Sequence, residues 1–199
     1  MESELKLELL TADPLGELVA RLGEPTRRIE QLNRYFLPAG PSGWVVRFRE
    51  EAGALVLTVK GPSGSTAPGV MDSGPLGSAL FVRAEREMSV PSEVLLHLLP
   101  GADQAPLFLL PPLEGMAGPL RPAGSCRNTR WVFTYRGFDL ELDCTQYPDG
   151  SSGWELEVET DRPSEALPLV SALLSELAIS FRPSTKGKFA RTRERLAPA

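Results

Sequence analysis

The sequence predicts an α+β domain that is rich in β-strands and carries a few helices. The first observation is that many segments alternate polar and apolar residues, which is the period of a β-strand with one buried face. The second is that only a few segments space their apolar residues as an amphipathic helix does. The third is that charges of one sign recur at every second position of several strands, which bears on function.

The first half of the chain is predicted to form a strand, a helix and three more strands. The opening strand runs to Leu9, and the helix after it has Asp13 as its N-cap, Pro14 at its first position and Gly23 behind its last turn. The further strands are predicted at 29–36, 44–49 and 54–60, the last two as a hairpin.

The second half is predicted to begin with a strand at 79–90 and a short helix at 91–99. A longer helix opens at Ser164 and runs to about Ile179, because its leucines recur at helical spacing. Between these helices we predict strands at 129–135, 138–146 and 154–160. Glycine- and proline-rich stretches at about 38–43, 61–77 and 100–124 are predicted to be loops.

Composition is ordinary for a single soluble domain, with 199 residues, 42% hydrophobic and 24% charged. The net charge of −5 and a pI near 5.1 argue against a nucleic-acid-binding surface, so a polyanionic partner would need a pocket. No apolar stretch reaches the roughly 18 residues of a membrane span, and the chain is charged from residue 2, unlike a signal peptide. We therefore expect a cytoplasmic protein with no membrane or nucleic-acid partner.

The cysteines and the histidine exclude several kinds of site. Cys126 and Cys144 are too far apart for a close zinc-binding pair, and we expect both to be reduced and structural. The single histidine, His97, lies in an apolar segment, where a partly buried or edge position on a short helix is more common than a catalytic role. Histidine-based triads and zinc sites are thus largely excluded.

The opening strand, Glu2-Ser3-Glu4-Leu5-Lys6, places two carboxylates and an ammonium on one face. Alone, such a strand most often turns its polar face to solvent. Later strands repeat the spacing with charges of one sign, as in Glu155-x-Glu157-x-Glu159. Neighbouring like charges repel, so the arrangement destabilises the strands unless a cation or facing basic residues balance it.

If the sheet curls so that these faces point inward, as in a small-ligand barrel, acids and bases share one lumen. Many hard oxygen ligands suit Mg²⁺ or Mn²⁺, and paired arginines suit phosphate, so the implied ligand is a metal-bound polyphosphate. The acids are Glu2, Glu4, Glu85, Glu87, Asp143, Glu155, Glu157 and Glu159. The bases are Lys6, Arg47, Arg49, Lys60, Arg83, Arg130, Lys186 and Lys188.

With these motifs the chain resembles the CYTH superfamily, the triphosphate tunnel metalloenzymes, whose hallmark is an N-terminal Glu-x-Glu-x-Lys strand. The resemblance covers nearly the whole chain, because the remaining motifs follow in the family's order. They are Arg47-Phe48-Arg49, Leu57-Thr58-Val59-Lys60-Gly61-Pro62, Arg83-Ala84-Glu85-Arg86-Glu87, Arg130, Leu142-Asp143, Glu155-Leu156-Glu157-Val158-Glu159 and Lys186-Gly187-Lys188-Phe189-Ala190-Arg191.

The resemblance implies one domain over 1–199, folded as a closed antiparallel barrel of roughly eight strands with helices packed outside. It also implies roles for individual residues. Glu4, Lys6 and Glu157 are the catalytic candidates, and Glu85 and Glu87 line the same faces. Triphosphate is bound by Lys6, Arg47, Arg49, Lys60, Arg83, Arg130 and either Lys186 or Lys188, of which Lys188 is the better match because it precedes Phe189. The metal-ligand candidates are Glu2, Glu4, Asp143, Glu155, Glu157 and Glu159.

The activity that the resemblance implies is hydrolysis of inorganic triphosphate to diphosphate and phosphate with Mg²⁺ or Mn²⁺. Thiamine triphosphatase, nucleoside triphosphatase and adenylyl cyclase are alternatives within the same fold. Stacking on thiamine is disfavoured, because the subfamily's tryptophan position is Val45 here and Trp44 should face the other side of its strand. A non-catalytic polyphosphate-binding module is a further alternative, although both the acids and the bases are present. The sequence leaves a homodimer open.

Overall fold

The computed structural model describes residues 2–39, 43–61, 80–83, 85–114, 116 and 118–196, and for residues 2, 3 and 80–83 only the backbone. The predicted loop at 61–77 lies outside the described residues, apart from Gly61. Within the described ranges, none of the helices is long and apolar enough to span a membrane.

Strands dominate this part of the chain. The strands are β1 (Glu2–Leu9), β2 (Arg27–Pro38), β3 (Val45–Glu51), β4 (Ala54–Lys60), β5 (Leu80–Arg83), β6 (Glu85–Val90), β7 (Leu120–Tyr135), β8 (Phe138–Gln146), β9 (Ser152–Glu159) and β10 (Phe181–Pro183). The α-helices are α1 (Pro14–Leu22), α2 (Pro163–Glu176) and α3 (Lys188–Glu194), and short 3-10 helices lie at Ser92–Leu98, Ala105–Leu109 and Pro111–Leu113.

All the described strands join one antiparallel sheet, which confirms the predicted α+β class. The sheet order is β10, β1, β9, β8, β7, β2, β3, β4 and β6, and β5 pairs with β1 off this path. Because this path has two ends, the strand order does not confirm the closed barrel that the resemblance implied. Every described pairing is antiparallel.

Several elements differ from the sequence prediction. The strand predicted at 79–90 is two strands with different partners, since β5 pairs with β1 and β6 pairs with β4. The segment predicted as a helix at 91–99 is a 3-10 helix, and the predicted loop at 100–124 contains two more. The strand predicted from Thr129 begins at Leu120, because it pairs with β2 from Leu120 to Val132 and absorbs Pro122 and Gly124 at a register shift.

The apolar core lies on the outer face of the sheet, in two main clusters. One packs α1 and α2 against β1, β7, β8 and β9, with Leu18, Leu142 and Leu173 fully buried. The other packs the outer faces of β3 and β4 against the 3-10 segments, with Phe48 and Leu113 fully buried. Because side chains alternate along a strand, the charged residues between these apolar positions point to the opposite, inner face.

Candidate functional site

A cavity of about 450 Å³ lies on the inner face of the sheet, and charged side chains dominate its lining. Two clusters of charged side chains lie at the cavity or directly beside it. The acidic cluster comprises Glu4 of β1, Glu141 and Asp143 of β8, and Glu155 and Glu157 of β9. The basic cluster comprises Arg47 and Arg49 of β3 and Lys60 of β4. Strands β7 and β2 separate the two clusters in the sheet order.

Strand register brings the acidic cluster together. On β9, Glu157 lies between Lys6 of β1 and Glu141 of β8, and Glu155 lies opposite Asp143. Arg130 of β7 is in turn the cross-strand partner of Asp143. Cross-strand partners on one face of a sheet lie close together. The alternation of side chains along β1, β7, β8 and β9 therefore brings these carboxylates and a few cations together on the inner face.

Lysine side chains balance much of the acidic cluster. The Nζ atom of Lys188 lies 2.7 Å from Asp143, 2.5 Å from Glu157 and 3.4 Å from Glu155. The Nζ atom of Lys6 lies 2.8 Å from Glu4 and 2.7 Å from Glu157. The cluster is therefore held by ammonium groups from both ends of the sequence.

Arginine side chains complete this balance. The guanidinium of Arg130 donates two hydrogen bonds to Asp143, at 2.8 and 2.7 Å, and one of 2.6 Å to Glu157. It also forms an ion pair with Glu141, and Arg191 of α3 forms one with Glu155. Such charge-assisted and bidentate pairs are stronger than neutral hydrogen bonds, so they fix the side chains firmly.

The carboxylates of this cluster have divergent pKa values. Burial opposes ionisation of Asp143 and Glu157, but Lys188 and Arg130 beside them lower the pKa of both. Burial raises the pKa of Glu4, with a further contribution from Glu157. Burial also raises the pKa of Glu141 to about 7, against the attraction of Arg130, which is shared with two other carboxylates. The cluster therefore holds carboxylates of quite different basicity.

The basic cluster is balanced less completely. Lys60 lies 2.7 Å from Glu85, while Arg47 lies 3.7 Å from Glu85, and Arg49 approaches Glu87 only to 3.4 Å. Burial and the charge of Arg47 lower the pKa of both Arg49 and Lys60. Among the described residues, the Nε atoms of Arg47 and Arg49 are buried without a hydrogen-bond partner. The two arginines therefore retain donors that an incoming anion could satisfy.

Helix α3 packs beside the cavity, and its first residue is Lys188. The ring of Phe189 packs on Tyr35 of β2 at a centroid distance of 5.2 Å, and both residues line the cavity. The helix approaches β7 so closely that a Cβ on Gly124 would lie 3.1 Å from Thr192 Cγ2. A glycine in β7 thus allows the helix to dock where Lys188 reaches the carboxylates.

Comparison with known proteins places this arrangement in a family. A family model described as the CYTH domain matches residues 1–192, almost the whole chain. The chain belongs to the CYTH family. Members of this family are triphosphatase and cyclase enzymes, and those that process triphosphates in a tunnel use divalent metals. No curated protein sequence matches the chain.

Solved structures confirm the CYTH fold. The Hippeastrum protein HpAC1, described as having a dominant triphosphatase activity, is 23% identical and matches with a TM-score of 0.76 over 100% of this chain and 98% of its own. A candidate adenylate cyclase from Bacillus halodurans is 19% identical, with a TM-score of 0.64 over 96% of this chain and 98% of its own. The Pyrococcus horikoshii protein PH1819 is 19% identical, with a TM-score of 0.61 over 97% and 99% of the two chains.

The CYTH domain brings together most of the residues singled out from the sequence. Those in the cavity or in contact with its charged residues are Glu4, Lys6, Arg47, Arg49, Lys60, Glu85, Glu87, Arg130, Asp143, Glu155, Glu157, Glu159 and Lys188. Lys186 is not among them, because its side chain is exposed and pairs with Glu194 at 2.7 Å. The side chains of Glu2 and Arg83 lie outside the described part, although their backbones pair in β1 and β5.

Two charged residues of the site were not singled out from the sequence. Glu141 shares a strand face with Asp143, and the spacing alone could have included it. Arg191 follows Lys188 by three residues, which puts both on one face of a helix, but the sequence did not predict a helix there.

Neutral polar residues of the site were also overlooked. Asn128 is buried and donates hydrogen bonds to Gln31 at 2.9 Å and to Asp143 at 2.8 Å, and Thr145 donates one to Asn128 at 2.9 Å. Asparagine, glutamine and threonine are ordinary on solvent-facing strands, so their types gave no signal.

The expected positions of Trp44 and Val45 agree with the structure. Val45 lines the cavity, whereas Trp44 packs against the outer apolar cluster of β3 and β4. No bulge brings the tryptophan round to the inner face, since the pairing of β3 with β4 is regular from Val45 to Glu51. The aromatic side chains in the described lining of the cavity are instead Tyr35 and Phe189.

The donor atoms of the acidic cluster determine whether a divalent metal fits there. Carboxylate oxygens are the ligands that Mg²⁺ and Mn²⁺ prefer. Nevertheless, within the described part of the chain no three histidine, cysteine, aspartate or glutamate side chains are placed to hold a metal ion together. Lys188 lies among the carboxylates that would have to converge. In this arrangement the cluster fits an ammonium group and not a metal.

Proposed function

We propose that this CYTH domain hydrolyses inorganic triphosphate to diphosphate and phosphate, with Mg²⁺ or Mn²⁺ required. The observation that carries the proposal is the basic cluster, in which the Nε atoms of Arg47 and Arg49 are buried without acceptors while the two side chains line the same cavity as a set of carboxylates. Arginine pairs match the oxygens of a phosphate chain, and carboxylates handle protons and cations. The triphosphatase activity described for HpAC1 supports the same class of reaction.

We infer that the cavity is a tunnel formed by a closed sheet. Strand β9 occupies one edge of β1, and β5 and β10 both pair along the other. The next strand after β5 is β6, which pairs with β4 at the far end of the sheet path. A continuous run through β5 and β6 would therefore join the two ends, as barrel closure requires.

The cavity lining favours inorganic triphosphate over a substituted one. Charged side chains form most of the lining, as a free phosphate chain requires. Among the described lining residues, the aromatic rings are those of Tyr35 and Phe189, which pack on each other. Val45 stands where the thiamine triphosphatase subfamily has its tryptophan. Thiamine triphosphate, nucleoside triphosphates and cyclase chemistry are therefore secondary expectations.

In the proposed reaction the basic cluster binds the non-bridging oxygens and neutralises their charge, aided by Lys6, Lys188 and Arg130. Water attacks a terminal phosphorus, the bond from that phosphorus to the bridging oxygen breaks, and diphosphate leaves. The proton of the water passes to a carboxylate of the acidic cluster. Glu4 is our candidate for this acceptor, because burial raises its pKa and makes it a stronger base than an exposed glutamate. Such catalysis depends on positioning and electrostatic stabilisation.

The catalytic experiment measures phosphate release from triphosphate with Mg²⁺ and with Mn²⁺ in Glu4→Gln and Glu157→Gln. Both variants should lose metal-dependent release, since each substitution removes a charge from the acidic cluster. Glu165→Gln is the control, because Glu165 is exposed on α2 and its described ion pair is with Arg162, away from the cavity. Unchanged turnover in either variant of the cluster would refute the assignment.

The substrate experiment compares phosphate release from inorganic triphosphate, ATP, thiamine triphosphate and longer polyphosphate, together with a cyclic-AMP assay. Inorganic triphosphate should give the highest kcat/KM. A higher value for thiamine triphosphate or ATP, or formation of cyclic AMP, would replace the proposed substrate. Binding of triphosphate without release of phosphate in any condition would favour a non-catalytic module.

A further inference from the structure

We propose that Lys188 is an internal counter-cation that competes with a divalent metal for the carboxylates of Asp143, Glu155 and Glu157. Metal binding would then require the Lys188 ammonium to leave the acidic cluster. The inference refines the metal requirement of the proposed function, but it concerns binding and not turnover.

The contacts of the ammonium group resemble those of a bound cation. Its Nζ atom is surrounded by oxygens of the three carboxylates, which come from two neighbouring strands, at 2.7, 3.4 and 2.5 Å. The ammonium donates hydrogen bonds to Glu155 and Glu157 and forms an ion pair with Asp143. Asp143 is completely buried, and the two glutamates are each 2% exposed. Solvent therefore cannot stabilise their negative charges in place of Lys188.

A metal ion placed among the same oxygens would meet two obstacles. It would displace the ammonium from its acceptors, and it would be repelled by the positive charges of Lys188 and Arg130 if they stayed. Arg130 is fixed in β7 by its double hydrogen bond to Asp143, whereas Lys188 belongs to a short helix near the end of the chain. Lys188 is therefore the cation that must give way.

The attachment of α3 makes such a movement feasible. The helix has 7 residues, and it follows Gly187, whose backbone is extended. Its described attachments are side-chain contacts, chiefly those of Phe189 with Tyr35, of Arg191 with Glu155 and of Thr192 with Gly124. Movement of Lys188 therefore breaks no strand pairing of the sheet.

The first experiment measures the dissociation constant of Mn²⁺ from the free Mn²⁺ signal in electron paramagnetic resonance, with no phosphate present. Lys188→Met should bind Mn²⁺ at least about tenfold more tightly than the wild type, as expected for loss of one nearby positive charge. Arg193→Met is the matched control, because it removes one charge from an exposed position of the same helix. Equal or weaker Mn²⁺ binding by Lys188→Met would overturn the proposal.

A second measurement on the wild type covers the case in which Lys188→Met does not fold. Mn²⁺ should speed hydrogen exchange of the amides of residues 188–194, because displacement of Lys188 loosens the helix from the sheet. Unchanged or slower exchange at a saturating Mn²⁺ concentration would overturn the proposal. Neither readout involves hydrolysis, so a protein that binds Mn²⁺ as expected but leaves triphosphate intact would refute only the proposed function.

Discussion

The acidic and basic clusters belong to one cavity, but their charges are balanced in opposite ways. In the acidic cluster Asp143 is contacted by both Arg130 and Lys188, and the pKa of each of these cations is raised well above its ordinary value, although burial opposes this. In the basic cluster burial lowers the pKa of Arg49 and Lys60. The carboxylate of Asp143 is therefore stabilised by its cations, whereas burial destabilises the charged forms of Arg49 and Lys60.

This difference indicates which ligand binds in the cavity first. An anion beside Arg47 and Arg49 would supply the missing acceptors and relieve the repulsion between the two guanidinium groups. A cation beside Asp143 and Glu157 would instead compete with ammonium and guanidinium groups that are already bound. These contacts thus favour binding of a phosphate chain before a free metal ion.

The largest expected effect comes from breaking the basic cluster. Arg49→Met removes a half-buried cation and its donors and leaves an unbranched apolar side chain, and it should lower kcat/KM for triphosphate roughly 100-fold. Arg34→Met is the control, because Arg34 lies on the other face of β2 and pairs with Glu50. Steady-state phosphate release checks the pair. Similar losses in both variants would mean that general destabilisation, and not phosphate binding, explains the result.

A smaller effect is expected on stability, from Glu141, a carboxylate of the acidic cluster whose ionisation is opposed by burial. Burial raises the pKa of Glu141 to about 7, above its ordinary unfolded value of about 4.3. The folded protein therefore binds more protons across this window, and the free energy of unfolding falls as pH rises through it. Glu141→Gln should remove the decline and stabilise the protein at pH 8 by on the order of 2 kcal/mol.

Urea unfolding at pH 5 and at pH 8, in the presence of a chelator, measures this dependence on pH. Glu165→Gln should retain the decline, because Glu165 is exposed on α2. A Glu141→Gln variant that loses as much stability between the two pH values as the wild type would show that Arg130 keeps Glu141 ionised. In that case the acidic cluster would be fully balanced, and its contrast with the basic cluster would be sharper.

The sequence predicted the charged strand faces well because alternation along a strand is a local property. Glu155 and Glu157, or Arg47 and Arg49, share a face whatever their neighbours are. Partners across the sheet and from α3 depend on register and docking, which spacing does not encode. For this reason Lys186 and Lys188 were both candidates, although only Lys188 reaches the carboxylates. The sequence did not predict that β7 begins at Leu120 for a related reason. Pro122 and Gly124 are typical of loops unless a partner strand accommodates them.

The smallest expected effect concerns the docking of α3, on which the balance of the acidic cluster depends. Gly124→Ala adds a Cβ that would lie 3.1 Å from Thr192 Cγ2, at a backbone φ of +123°. Gly137→Ala is the matched control, because Gly137 also has a positive φ, +81°, but a Cβ there would meet nothing within 4 Å. Both variants should lose about 1 kcal/mol of stability from backbone strain, and only Gly124→Ala should also loosen the helix. Hydrogen exchange of residues 188–194 should accelerate in Gly124→Ala alone, and Mn²⁺ should bind it more tightly, since Lys188 would then be held less firmly among Asp143, Glu155 and Glu157. Equal exchange in the two variants would mean that the ion pairs with the sheet, and not the close contact of α3 with Gly124, keep Lys188 in place.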